Sequence, residues 1–135
     1  MSLYNDLIVQ HDRHPHHEGP LAGETHHATL DNPMCGDVVT MHFHVDTQVS
    51  SATFEARGCS LSRAAASMLS DLAPGKSPDE IKQLAVKVEA FIMSAPDAPV
   101  PSDLGELEAF ANVRAFKSRR TCVTLAFRAA VQALK

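Results

Sequence analysis

The spacing of apolar positions changes period twice along the chain. Leu3, Leu7 and Ile8, with Tyr4 beside them, fall on one face of a short amphipathic helix over residues 3 to 12. The stretch His14-Pro15-His16-His17-Glu18-Gly19-Pro20 then forbids regular structure, because proline removes a donor and glycine frees the backbone. From Thr29 the period becomes two. A strand ending near Asp31 meets an Asn32-Pro33 turn, after which Val39, Met41, Phe43 and Val45 alternate with Val38, Thr40, His42 and His44. Thr47 and Gln48 make a tight connection to a further strand over residues 49 to 57, where Ala52, Phe54 and Ala56 continue the apolar face. The pattern predicts a three-stranded antiparallel meander.

Helical spacing returns after Gly58. Leu61, Ala65, Met68, Leu69 and Leu72 form one stripe, and Cys59 stands at the start of that helix. Pro74-Gly75 ends it, and Ser77-Pro78-Asp79-Glu80 opens the next as a capping box with proline at the first helical position. Its stripe is Ile81, Leu84, Ala85, Val88 and Ile92. Prolines at 96, 99 and 101 make a stiff connector, and residues 104 to 110 suggest a short helix. Thr121 is placed to cap a last helix from about Cys122, with Val123, Ala126, Phe127, Ala130 and Leu134 inward. The expected class is α+β, a three-stranded antiparallel sheet packed against several helices, with residues 1–135 as one domain.

Composition narrows the function. A formal charge of −4, 5% aromatic residues and no tryptophan do not supply the basic, stacking face of a nucleic-acid binder. No run approaches the roughly 18 to 20 apolar residues of a membrane span, and the N-terminus lacks the features of a secretory signal. The expectation is a cytoplasmic protein with neither nucleic acid nor membrane as partner. Three cysteines, an odd number, then point to thiolate chemistry rather than a disulfide framework.

Those cysteines are Cys35 in Asn-Pro-Met-Cys-Gly-Asp, Cys59 in Arg-Gly-Cys-Ser and Cys122 in Arg-Arg-Thr-Cys-Val-Thr. A lone cytosolic cysteine is commonly a small buried apolar residue. Three thiolates with one carboxylate, however, fill the four tetrahedral corners that zinc or iron takes in a sulfur-rich site. Asp37 supplies the carboxylate, and Gly36 lets one bend aim Cys35 and Asp37 at a single ion. Cys59 and Cys122, both at helix starts and near arginines (Arg57 and Arg63; Arg119 and Arg120), are expected as stabilised thiolates. Six of the eight histidines precede residue 28; such a tract could collect metal, since neutral imidazole binds zinc, copper and nickel, but it reads as a solvated loop. His42 and His44 read as surface or partner-facing side chains.

These motifs resemble the SufU and IscU family of iron-sulfur cluster assembly proteins, found also as the N-terminal part of NifU. The likeness runs through Leu3-Tyr4 with Ile8, His11, Pro15 and Gly19; Asn32-Pro33-x-Cys35-Gly36-Asp37; Phe54 with Gly58-Cys59-Ser60; Ala66-Ser67-Met68; residues 103 to 109; and Arg119 with Cys122. It implies that Cys35, Asp37, Cys59 and Cys122 are the metal or cluster ligands, that Cys35 accepts sulfur, and that Arg119 stands beside the site. The SufU branch is the better match. The histidine that precedes the third cysteine in IscU is Thr121 here, where SufU relatives carry lysine, and the Leu-Pro-Pro-Val-Lys chaperone motif is absent. In that branch zinc fills the site and a PLP-dependent cysteine desulfurase delivers persulfide sulfur. The IscU alternative uses the same ligands to assemble a [2Fe-2S] cluster for transfer to apo-proteins. A purely structural zinc site and a cysteine–histidine hydrolase are weaker competitors, the first because Cys3Asp is an unusual structural set, the second because no nucleophile motif supports it.

Overall fold

A computed structural model describes residues 3–135 of the chain, so the first two residues of the expected domain lie outside it. The first helix, α1, is Asp6–Arg13, capped by the Asn5 side chain, which accepts a hydrogen bond from the Ile8 N–H at 3.0 Å. It starts later than the apolar spacing predicts because asparagine at a helix entrance takes an extended backbone and satisfies a free N–H. Ile8 and His11 face inward.

Three strands follow, β1 (His26–Asn32), β2 (Asp37–Val45) and β3 (Val49–Arg57), paired antiparallel in the order β1-β2-β3. β1 begins three residues before the expected start, since His26 already pairs with Phe43. Two polar histidines at its head hid the alternation. The inner sheet face is Val39, Met41 and Phe43 with Ala52, Phe54 and Ala56, all buried, as the period of two requires. One expectation fails on the other face. His42 is 7% exposed, held between Glu24 (2.9 Å from Nδ1) and Glu55 (2.8 Å from Nε2), because neighbouring side chains close over it. His44 stays half-buried, with Nδ1 2.7 Å from Ser50 Oγ.

The helical layer comprises α2 (Ser60–Leu72), α3 (Pro78–Met93) and α4 (Arg120–Ala133), preceded by 3-10 segments over Gly105–Ala115 and Lys117–Arg119. The capping box at Ser77 and Glu80 forms as predicted. The segment expected as a short helix from 104 to 110 is instead a long 3-10 run. Its inward side chains explain why: Leu104, Leu107, Phe110 and Val113 recur every third residue, the repeat of a 3-10 turn. Thr121 does not cap α4. The preceding 3-10 turn runs straight into the helix, donating Arg119 N–H to the Phe116 carbonyl at 2.8 Å, and α4 starts at Arg120 with no side-chain cap. α4 packs on α2, α3, β1 and β2 and so carries its first turn to the sheet. Among the described residues no helix is long and apolar enough to cross a membrane.

The histidine tract is not a free loop. His16 N–H donates to Ser67 Oγ at 2.8 Å, Ser70 Oγ donates to the His16 carbonyl at 3.0 Å, and Phe54 N–H donates to the His17 carbonyl at 3.1 Å. The tract is thus tied both to α2 and to the outer edge of β3.

Candidate metal centre

The β1–β2 register closes with Asn32 opposite Asp37, which leaves residues 33 to 36 as the hairpin tip. Asn32 builds that tip. Its carbonyl accepts the N–H groups of Cys35 (3.1 Å) and Gly36 (2.8 Å), and its side-chain oxygen accepts Met34 N–H at 3.2 Å. Gly36 turns the chain at φ +74°, a conformation glycine adopts without steric cost. Cys35 is therefore presented to solvent beside a Met34 that is 90% exposed, while Asp37, two residues on, is wholly buried.

Asp37 is held by the start of α2. One carboxylate oxygen accepts the Cys59 N–H at 2.7 Å and the other accepts Ser62 Oγ at 2.9 Å. An anion here meets the unpaired N–H groups and positive end of the helix. Gly58 makes the approach possible: it sits at φ +108°, and a Cβ there would lie 2.5 Å from Asp37 Oδ1. Cys59 is the N-cap of α2, its sulfur accepting Leu61 N–H at 3.4 Å.

Cys122 arrives in the first turn of α4, buried, with Sγ 3.9 Å from Cys35 Sγ. Donor atoms of Cys35, Asp37 and Cys122 lie within 4.8 Å of one another. Cys59 is not in that group; its sulfur stands at the edge of the site, 3.3 Å from Arg119 Nη1. The two helix-start thiols consequently behave in opposite ways. The hydrogen bond from Cys122 brings Cys59 down to about 6, helped by Leu61 N–H and the Arg119 charge, against burial and Asp37. Cys122, which supplies that hydrogen bond and is buried near Asp37, is pushed up, contrary to the expectation of a thiolate. The Cys59 thiolate in turn raises Arg119. Arg63, expected near Cys59, instead pairs with Asp12 and Glu18 and donates to the Ala56 carbonyl.

The donor set can be tested against a metal. Zinc–thiolate bonds of about 2.3 Å at tetrahedral corners set sulfurs about 3.8 Å apart. Cys35 and Cys122 stand at 3.9 Å, and with Asp37 they put two sulfurs and a carboxylate where a thiophilic ion could take them, leaving Cys59 to move in as the fourth donor. Ser62 was not visible as a functional residue. Its hydroxyl lies 2.9 Å from Asp37 and 3.0 Å from the Cys122 carbonyl, joining β2, α2 and α4. The available signal was a serine three residues after Cys59, next to the apolar Leu61. The Ser118 carbonyl, 3.8 Å from Cys35 Sγ, left no sequence signal because any residue supplies one.

Comparison with known proteins identifies relatives of the chain. Residues 3–123 match the NifU-like N terminal domain. The chain is 35% identical over 134 residues to the iron-sulfur cluster assembly scaffold protein IscU of Streptococcus pyogenes serotype M1, covering 98% of this chain and 83% of that protein. It is 32% identical over 129 residues to the zinc-dependent sulfurtransferase SufU of Bacillus subtilis (strain 168), covering 95% and 86%. In fold it superposes on the N-terminal NifU-like protein of Brucella abortus with a TM-score of 0.87 at 24% identity, over 98% of this chain and 92% of the other. By this match over residues 3–123 and its likeness to IscU- and SufU-type proteins, the chain belongs to the NifU-like N-terminal domain family.

Proposed function

We propose that this protein is a cytoplasmic iron-sulfur cluster assembly factor, one domain over residues 1–135, in which Cys35, Asp37, Cys59 and Cys122 hold zinc. Cys35 accepts persulfide sulfur from a PLP-dependent cysteine desulfurase. The observation that carries the reading is the asymmetry of the site: Cys35 is exposed on a hairpin tip, Cys59 is half-buried, and Asp37 and Cys122 are buried behind them. Of the three thiols Cys35 is the one most open to a partner's persulfide. Zinc bound to these ligands would keep the coordinating thiols deprotonated and guarded from oxidation.

The residues supply the rest. The Cys35 thiolate attacks the outer sulfur of the partner's cysteine persulfide, the S–S bond of that persulfide breaks, and the partner's cysteine leaves as thiolate. A new persulfide stands on Cys35, with no net oxidation or reduction. Arg119 keeps positive charge beside the sulfurs, and Asp37, fixed by Cys59 N–H and Ser62, is a harder donor than thiolate. The likeness to Streptococcus pyogenes IscU supports a second reading, in which the same four residues build a [2Fe-2S] cluster as cargo for apo-proteins.

Sulfur acceptance from a desulfurase fed with cysteine decides the proposal. Cys35→Ala, shown to be folded, is expected to accept none, and acceptance at the parent rate would refute the assigned role. Elemental analysis of protein purified without added metal separates the two readings: one zinc per chain fits sulfur transfer, and iron with acid-labile sulfide fits the scaffold.

A further inference from the structure

We propose that His11, His16 and Asp71, with His17 on the far oxygen of the same carboxylate, form a second metal site. It would take a borderline divalent ion of the zinc, nickel, copper and iron(II) class. One donor atom from each of His11, His16 and Asp71 lies within 4.8 Å of the others. His16 Nδ1 is 2.6 Å from one Asp71 oxygen and His17 Nε2 is 3.0 Å from the other. Two or three imidazoles around one carboxylate are the donors such ions select, as distinct from the all-oxygen sets of calcium and magnesium.

The cluster is held in place rather than gathered by chance on a mobile loop. His17 is the one non-glycine residue with positive φ (60°) among the described residues, a conformation an L side chain seldom adopts unless its surroundings hold it. The backbone bonds of the tract to Ser67, Ser70 and Phe54 maintain it. His11 is 3% exposed, and its Nε2 lies 3.1 Å from Glu106 Oε1. A carboxylate on one ring nitrogen is how a ligating histidine is commonly oriented, and it leaves Nδ1, now 2.7 Å from Ser67 Oγ, as the other donor.

The site is separate from the thiols. Cys59 caps one end of α2 and Asp71 stands near the other; at 1.5 Å per residue the helix puts about 18 Å between them. Bonds near 2.0 to 2.1 Å place tetrahedral donors about 3.4 Å apart, so donors spread over as much as 4.8 Å must close by up to about 1.4 Å, while His16 and Asp71, now 2.6 Å apart, must part slightly. Rotation of the His16 side chain, 52% exposed, can supply that closure while His11 stays fixed.

Zinc is the probe. Full-length protein is first given one equivalent, which fills the thiol site, and a second equivalent is then followed by calorimetry and by the ring-nitrogen resonances of 15N-labelled histidine. The second zinc should bind, shift the His11 and His16 resonances, and bind at least tenfold more weakly to both His16→Ala and Asp71→Asn. Retention of the first zinc and of the helical circular dichroism shows that each variant is folded. His27→Ala should bind the second zinc like the parent. The proposal is overturned if the parent takes no second zinc, if those resonances do not move, or if either variant binds it as tightly as the parent. Neither result bears on the thiol site, which the first equivalent reports separately.

Discussion

Replacing Gly58 with alanine tests whether the approach of α2 to Asp37 is what builds the thiol site. The added Cβ would stand 2.5 Å from Asp37 Oδ1 and 3.0 Å from its Cα, where relaxed carbon contacts are about 3.5 to 4.0 Å. The second contact is to backbone, so rotating the aspartate cannot relieve it. Holding alanine at φ +108° adds about 1–3 kcal/mol of strain. A shift of Asp37 by about 1 Å would then weaken its bonds from Cys59 N–H and Ser62, and hydrogen bonds to a charged group contribute about 1.5–3 kcal/mol each. With partial relaxation, the expected loss is about 3–5 kcal/mol, a large part of the roughly 5–15 kcal/mol that a domain has. Gly75→Ala is the control, since Gly75 also has positive φ (+91°) but nothing within 4 Å of a built Cβ; its cost should be about 1–2 kcal/mol. Urea unfolding followed by circular dichroism measures both, and zinc titration should show at least tenfold weaker binding only in Gly58→Ala. Equal losses in the two variants, with unchanged zinc affinity, would refute the reasoning.

Two further outcomes concern protons. In metal-free protein the Cys59 thiolate should titrate near pH 6 by its ultraviolet absorbance, disappearing as pH falls through that value, and Cys122→Ala should move the midpoint upward because the donated hydrogen bond is its main cause. An unmoved midpoint would contradict that pairing. For His42, burial favours the neutral ring, but the hydrogen bonds and charges of Glu24 and Glu55 outweigh it and raise its pKa. A raised histidine stabilises the fold fully below its unfolded value of about 6.5, and that contribution is lost as pH rises through the folded value. The stability advantage of the parent over His42→Gln should therefore shrink as pH rises from about 6 toward 9, and a constant difference across that range would show that the imidazolium is not the stabilising form.

Local chemistry made much of this protein legible. Alternation at Val39, Met41 and Phe43 needs only the pleat of a strand, and Ser77 with Glu80 needs only the geometry of a helix entrance. The four proposed donor residues stood out because three thiols and a carboxylate share one chemistry wherever they stand in the chain, and the fold brings Cys35, Asp37 and Cys122 together. Weaker local signals misled. Thr121 looked like a cap, but the helix begins before it as the continuation of a 3-10 turn, and Leu104, Leu107, Phe110 and Val113 carried a period of three that reads as a helix over so short a window.

What the residues alone determined was therefore the alphabet of the site, and what they left open was its grammar. Cys35 and Cys122 are 87 positions apart, and only the packing of α4 against the sheet sets their sulfurs at 3.9 Å. The tertiary surroundings lower the pKa of one helix-start thiol and raise that of its neighbour, and they pair Arg63 with Asp12 of α1 while Arg119 takes the place at Cys59. Burial of His42 and the gathering of His11, His16 and Asp71 were likewise decided by elements distant in sequence. Propensity and period act over a few residues, whereas electrostatics and hydrogen bonding act on whatever the fold brings near; the charge state of each side chain here belongs to the second kind of rule.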